Sequence, residues 1–298
     1  MSSIQSYQST VKIHNWYENQ LIDNEKTHTL QKAYHSNTLL SSARNTLLNH
    51  TLQPSALSHT THNNQLYNNQ SIMLYNYHTH GVLSTDISEL INVATNNINS
   101  CNYAASTSTL TPSHVLRNTF TVELVHDNKQ SYDRNNNAHH VVNYHQKVRF
   151  VCHNELSNEK LYLASIIKSH LNYSQKSKTQ LVYITNNCND YNTQWSIELG
   201  DVQYRIEAEL QPVNTTQSCV IVHCATQQPL SSHTQSTILN IYGSEYEVSC
   251  QSSSTSQGKK YQLQHEQNGI ISSDTGSKQY DIMNVWSILM DSPLQHDT

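Results

Sequence analysis

Nineteen histidines and six cysteines are the side chains of this sequence best equipped for chemistry. His59-x-x-His62, His78-x-His80, His139-His140 with His145, and His223-Cys224 with His233 can each be drawn as transition-metal ligands. A zinc site needs three or four converging donors, usually delivered as close pairs. Cys219 and Cys224 are spaced like such a pair, but strand alternation would send them to opposite faces. Cys224 and His233 could instead make a nucleophile and its base. Neither a third orienting group nor an oxyanion-hole signature accompanies them. The chain also has no Gly-rich phosphate loop, no G-x-S-x-G, no H-E-x-x-H and no paired carboxylates. The expectation is a non-enzymatic protein with no catalytic residues, no cofactor and no metal, whose histidines fill polar surface in a biased composition.

The elements that would position these residues repeat. The organising stretch is Val220 to Val248. An apolar strand (Val220, Val222) enters a polar turn, the turn leads to Leu230-Ser231-Ser232-His233, and a second alternating strand follows Gly243. Ser71–Ser84 and Val148–Ser165 echo it, each with alternating apolar residues, a polar turn, and Leu followed within two residues by Ser. A second repeat is aromatic: Phe120, Trp195 and Trp286 each anchor a short strand. Self-similarity of this kind means one supersecondary unit used several times. The Phe120 and Trp195 strands each precede a unit, while Trp286 has no unit after it. A closed three-fold β-structure would bring the Trp286 strand beside the 71–84 unit and so remove sheet edges. The Leu-x-Ser serines are expected to bond turn backbone. A β-sandwich is the alternative that short alternating strands also permit.

Composition sets the bounds. The 298 residues carry a net charge of −5, with only 13% charged residues, so there is no basic field for nucleic acid. Gly is 6 and Phe is 2, while Tyr is 18, which points to tyrosine as core bulk. No apolar run approaches a membrane span. The first residues lack a charged and an apolar region, so no signal peptide is expected. The cysteines then read as reduced thiols, several of them on strands.

In chain order, Val11–Tyr17 is a short alternating segment ending in Trp16 and Tyr17, candidate partner-docking anchors because aromatics dominate interfaces. Residues 24–50 read as one amphipathic helix, with Leu30, Ala33, Tyr34, Leu40, Ala43, Leu47 and Leu48 on one face. Pro54 stops it. Residues 55–70 and 127–140 are polar connections, and 251–260 is a loop. Residues 85–117 read as an insertion with a short helix around Ile87–Val93. Leu181–Ile184 is a strand, and so is 201–213, where Val202, Tyr204, Ile206, Ala208 and Leu210 alternate. The domain reading is 1–63 for the N-terminal arm and helix, 64–290 for a mainly β body and 291–298 for a polar tail.

Read together, several of these segments resemble the cilia- and flagella-associated protein 161 family. They are Val11–Trp16, Arg117–Phe120, Leu161–Ser165, Val222–Thr226 with Leu230–His233, Tyr242–Val248, and Trp286. The ordered series, over roughly 10–290, carries the likeness rather than any one motif. The β-units also resemble MIR repeats, which form a β-trefoil. His14, His145 and Asn68 stand where that family tends to have glycine. The resemblance implies a structural microtubule inner protein in the lumen of ciliary and flagellar doublet microtubules. Its partners would be the α/β-tubulin lattice and neighbouring inner proteins, with no membrane or nucleic acid. A MIR-like glycan- or ligand-binding module is the alternative.

Overall fold

The structure, a computed structural model, describes residues 16–36, 38–60, 63–93, 101–109, 114–125, 140–154, 159–252, 267–269 and 280–291. The chain divides into two compact units, 1–49 and 50–298. Residues 50–60 are tied to the β-body through Ser55 N–H to His114 O, Ser58 N–H to Ser71 O and Thr60 N–H to Asp291 O.

Among its described residues the N-terminal region holds two helices where one was expected: α1, Trp16–His35, and α2, Leu40–Thr51. Serine and threonine hydroxyls offer the backbone an alternative to helical pairing. Here Ser36 Oγ donates to Lys32 O, and the Thr38 N–H reaches back to Ala33 O, ending α1. The expected apolar stripe does not form either. Residues 23–29 are polar apart from methyl groups, and Leu21, Leu30 and Tyr34 are exposed. Among the described residues no helix is long and apolar enough to cross a membrane.

Among the described residues, the second unit holds twelve strands in three consecutive sets of four. The first set is β1 (Ser71–Asn76), β2 (Gly81–Leu90), β3 (Asn102–Ser108) and β4 (Phe120–Leu124). The second is β5 (Lys147–Asn154), β6 (Glu159–Ile166), β7 (Gln180–Thr185) and β8 (Trp195–Leu199). The third is β9 (Cys219–His223), β10 (Gln228–Asn240), β11 (Gly243–Cys250) and β12 (Val285–Leu289). The outer strands of each set close an antiparallel ring: β1 on β4, β4 on β5, β5 on β8, β8 on β9, β9 on β12, and β12 back on β1. The inner strands form hairpins whose second members meet in a triangle, β3 with β7, β7 with β11 and β11 with β3. A six-stranded barrel capped by three hairpins in three-fold arrangement is a β-trefoil.

The closure predicted from Trp286 is present, with Asn76 paired to Trp286 and Met73 to Leu289. Each aromatic strand is entered through a 3-10 turn: Leu116–Asn118, Tyr191–Thr193 and Ile282–Asn284. Phe120, Trp195 and Trp286 are all fully buried in one core with Leu74, Phe150, Leu163 and Ile221. Three-fold order extends to the connections. Leu66 N–H donates to Val213 O, Val213 N–H to Val142 O, and Val142 N–H to Leu66 O, a closed ring at 2.8–3.0 Å.

Two sequence readings are overturned. Ile87–Leu90 is the end of β2 and 102–108 is β3, not an insertion with a helix. The propensity of Ser and Thr for loops yields to pairing across the cap. Residues 202–210 are turns rather than a strand. Local bonds win there: Ala208 N–H donates to Tyr204 O, and the Arg205 guanidinium donates to Leu199 O and Gly200 O, folding the segment back on the end of β8. Of the glycine-like positions, His145 does adopt φ 63, and Asn69 rather than Asn68 carries the other left-handed residue. Asn68 Oδ1 instead accepts the Leu124 N–H. Residues 1–15, 126–139, 253–266 and 292–298 lie outside the described residues.

Candidate functional site

The histidine groupings separate. His223 is wholly buried on β9, 5.0 Å from the Trp195 ring. Its Nε2 lies 3.0 Å from Asn192 O and its Nδ1 2.8 Å from Thr226 Oγ, which accepts in turn from the Gln180 amide. One ring proton serves this network: Nε2–H donates to the carbonyl, and the Thr226 hydroxyl donates to Nδ1. Burial pushes the His223 pKa down to about 4, so the ring is neutral and structural.

His233 on β10 stands edge-to-face with His78, ring centroids 5.1 Å apart, while His78 Nε2 lies 3.3 Å from Thr234 Oγ. Burial lowers the His78 pKa, with His233 and then His80 adding to the effect. His80 Nδ1 is bonded to the Tyr75 hydroxyl at 3.0 Å. His59 Nδ1 sits 3.7 Å from an Asp291 carboxylate oxygen. His62 and His139 lie outside the described residues. Among the described residues no three His, Cys, Asp or Glu side chains converge as metal ligands.

All six cysteines are free thiols. Burial raises Cys152, Cys219 and Cys250 to about 12 and also raises Cys224. A thiol held protonated is a poor nucleophile. Cys224 lies beyond the end of β9 in a turn, so the strand reading of Cys219 and Cys224 holds only for Cys219.

The repeated Leu-x-Ser and aromatic motifs do meet, and what they build is the body. The indole N–H of Trp195 donates to Leu163 O at 2.8 Å, and that of Trp286 to Leu230 O at 3.0 Å. Phe120 has no such donor, and in its unit Ser84 Oγ donates to Asn118 Oδ1 at 2.7 Å. All three serines lie within strands; Ser165 and Ser231 bond across hairpins, to Leu181 O and Ser249 O, and Ser84 alone reaches a turn, through the Asn118 side chain. Another missed group ties the cap together. Arg117 and Glu245, with side chains 1% and 3% exposed, form a bidentate pair at 2.7 and 2.9 Å. The guanidinium also stacks 3.5 Å over the Tyr242 ring, whose hydroxyl donates to Thr51. The only sequence trace was Arg117 itself, a charge next to an aromatic strand.

Trp16 and Tyr17 open α1, not an extended arm; their side chains lie outside the described residues. Large apolar groups are exposed at many points of the described surface: on the turns at Tyr204, Ile206 and Leu210, on Tyr191, at Leu239 on the β10–β11 hairpin, and also at Leu40 on α2, Leu90 at the end of β2, and Ile167 and Leu171 between β6 and β7.

A β-trefoil that engages His223, Cys152, Cys219, Cys250 and a buried ion pair in its own packing defines the class. Within that class, the chain belongs to the cilia- and flagella-associated protein 161-like family, whose domain profile matches residues 26–268. It is 26% identical over 265 residues to cilia- and flagella-associated protein 161 of Danio rerio, covering 83% of this chain and 82% of that one. To the protein of the same name from Bos taurus it is 30% identical over 108 residues, 36% of this chain and 33% of that. Among solved structures it is similar to the SDF2-like protein from Arabidopsis thaliana, with a TM-score of 0.49 and 14% identity. That match covers 78% of this chain and 99% of that chain.

Proposed function

We propose that this chain is a structural, non-enzymatic microtubule inner protein. It sits in the lumen of axonemal doublet microtubules, stabilises the doublet and supports ciliary and flagellar motility. The observation that carries the reading is the family match over residues 26–268. The geometry supports it. Closure removes the barrel's strand edges, so the body presents side chains rather than open backbone to its neighbours. His223, Cys152, Cys219 and Cys250 are buried in the body, and among the described residues no three His, Cys, Asp or Glu side chains converge as metal ligands. Its partners are the α/β-tubulin lattice and adjoining inner proteins. Weak contacts repeated along a periodic lattice add through effective concentration, so no single large interface is required.

Cryo-electron microscopy of doublets from the source cells, with and without this protein, tests the reading. The expected result is a lumenal density that disappears with the protein, and retention of the protein on salt-washed doublets. Unchanged lumenal density, with release as easy as that of soluble matrix proteins, overturns it. A tagged chain that marks endomembranes and leaves cilia dark favours a ligand-binding trefoil instead.

A further inference from the structure

We infer that residues 201–210 form a rigid docking knob for a protein partner that presents an apolar pocket rimmed by lysine and arginine. The segment links β8 to β9, and its sequence, DVQYRIEAEL, looks like an amphipathic strand. The structure departs from that pattern at its centre. Tyr204, Ile206 and Leu210 are 56%, 74% and 72% exposed, while Arg205, the charged residue between them, is 7% exposed. Scattered surface apolar groups need no explanation. Three large ones within seven residues, held outward by a buried arginine, do need one.

The hold is specific. Arg205 Nε donates to Leu199 O at 3.0 Å and lies 3.7 Å from Glu198 Oε2. Tyr280 donates its hydroxyl to the same carboxylate oxygen at 3.1 Å and places its ring 4.6 Å from the guanidinium. At the other end, Gln211 O accepts from Tyr144 N–H, and Pro212 bridges to Asn143. The knob is therefore clamped at both bases and is not a loose loop.

Leu210 adds an independent sign. Its φ is 65, in the left-handed region where glycine or asparagine sits at least cost. A leucine there, most of its surface in water, gains little burial for the strain it bears. Strained backbone at an exposed side chain points to function. Charge then selects the partner. Asp201, Glu207 and Glu209 are exposed, and the one basic residue from 201 to 211 is Arg205, already facing Glu198. An apolar cluster set among three carboxylates fits an apolar pocket with a basic rim. Exposed charges are screened beyond about 8 Å at physiological salt, so the rim must touch the knob directly.

The test replaces Ile206 with a photo-crosslinking phenylalanine analogue in the full chain, expressed in the source cells and irradiated in place. The expected result is one dominant crosslinked protein, attached at apolar residues flanked by Lys or Arg on mapping by mass spectrometry. Crosslinks to residues 1–49 of the same chain, to a second copy, to acidic or uncharged surfaces, or scattered over many proteins overturn the inference. Leu210→Gly supplies the second reading. In the purified chain its Tm should be unchanged or raised by up to roughly 3 °C. In cells the Ile206 crosslink yield should fall roughly tenfold. A lowered Tm, or an undiminished crosslink, overturns the role given to Leu210. Because crosslinking reads the partner wherever the protein resides, the knob and the lumenal location fail separately.

Discussion

His223 shows how a chemically tempting residue becomes a structural one. With one proton it satisfies Asn192 O and accepts from Thr226, and a second proton would place a charge in a wholly buried site. Its folded pKa of about 4 lies below the ordinary histidine value of 6.5. The unfolded chain therefore binds a proton that the fold refuses. The stability tied to this group is complete above pH 6.5 and is lost as pH falls toward 4, by about 3 kcal/mol. His223→Gln, which can still donate to Asn192 O, should lower Tm at pH 7.5 and flatten its decline between pH 6.5 and 4.5. Calorimetric scans of both proteins across that range check this, and parallel declines would contradict it. Arg117 and Glu245 give the second residue-scale prediction. Burial pushes the Glu245 pKa up, and the Arg117 guanidinium, Ser106 and Asn240 outweigh it, leaving the carboxylate charged. Removing one partner strands a buried charge, so Glu245→Leu should cost roughly 3–5 kcal/mol. Denaturant titration should find Arg117→Met with Glu245→Leu less costly than Glu245→Leu alone. Neither role was visible in sequence, because each turns on a distant partner: Asn192 lies 31 positions from His223, and Arg117 lies 128 from Glu245.

At the scale of elements, what the sequence made legible was repetition. The three Leu-x-Ser units are the starts of the three strand sets, and Phe120, Trp195 and Trp286 end them. What was missed followed local rules that tertiary pairing overrides. Asn102–Ser108 is rich in small polar residues, yet it pairs with β2, β7 and β11 at the centre of the cap. Residues 202–210 alternate like a strand, but Arg205 anchors them otherwise. The backbone ring of Leu66, Val142 and Val213 did have a signal, since a glutamine stands four residues after each (Gln70, Gln146, Gln217). The turn between β1 and β2 carries its own test. A Cβ on Gly81 would sit 2.6 Å from Ser108 O and 2.8 Å from a Thr107 methyl, against β3. Gly81→Ala should destabilise by roughly 1–3 kcal/mol, measured by denaturant midpoint, because backbone must move to admit it. An unchanged midpoint would mean that β3 is free to shift.

For the whole molecule, the trefoil is closed by its last strand. Val285–Leu289 seals the barrel against β1 and β9 and delivers Trp286 to the core. Without that strand two barrel edges would open and a fully buried indole would be missing from the core. The N-terminal residues stand differently. Residues 50–298 form their own compact unit, and Thr51, which receives the Tyr242 hydroxyl, lies inside it. The 50–298 fragment should therefore unfold in one cooperative step near the Tm of the full chain, as followed by circular dichroism. That outcome separates folding from docking and makes the role of the first helix testable. Trp16 and Tyr17 stand in the first turn of α1, outside the unit that folds the trefoil. If they anchor the protein to its lattice, Trp16→Ala with Tyr17→Ala in the full chain leaves Tm within about 1 °C and weakens retention on salt-washed axonemes at least roughly tenfold, the scale of losing an aromatic hot spot. Quantitative blotting of retained against released protein reads the effect. Full retention by the double variant would move the anchoring to the trefoil surface, where Tyr204, Ile206 and Leu210 already stand exposed.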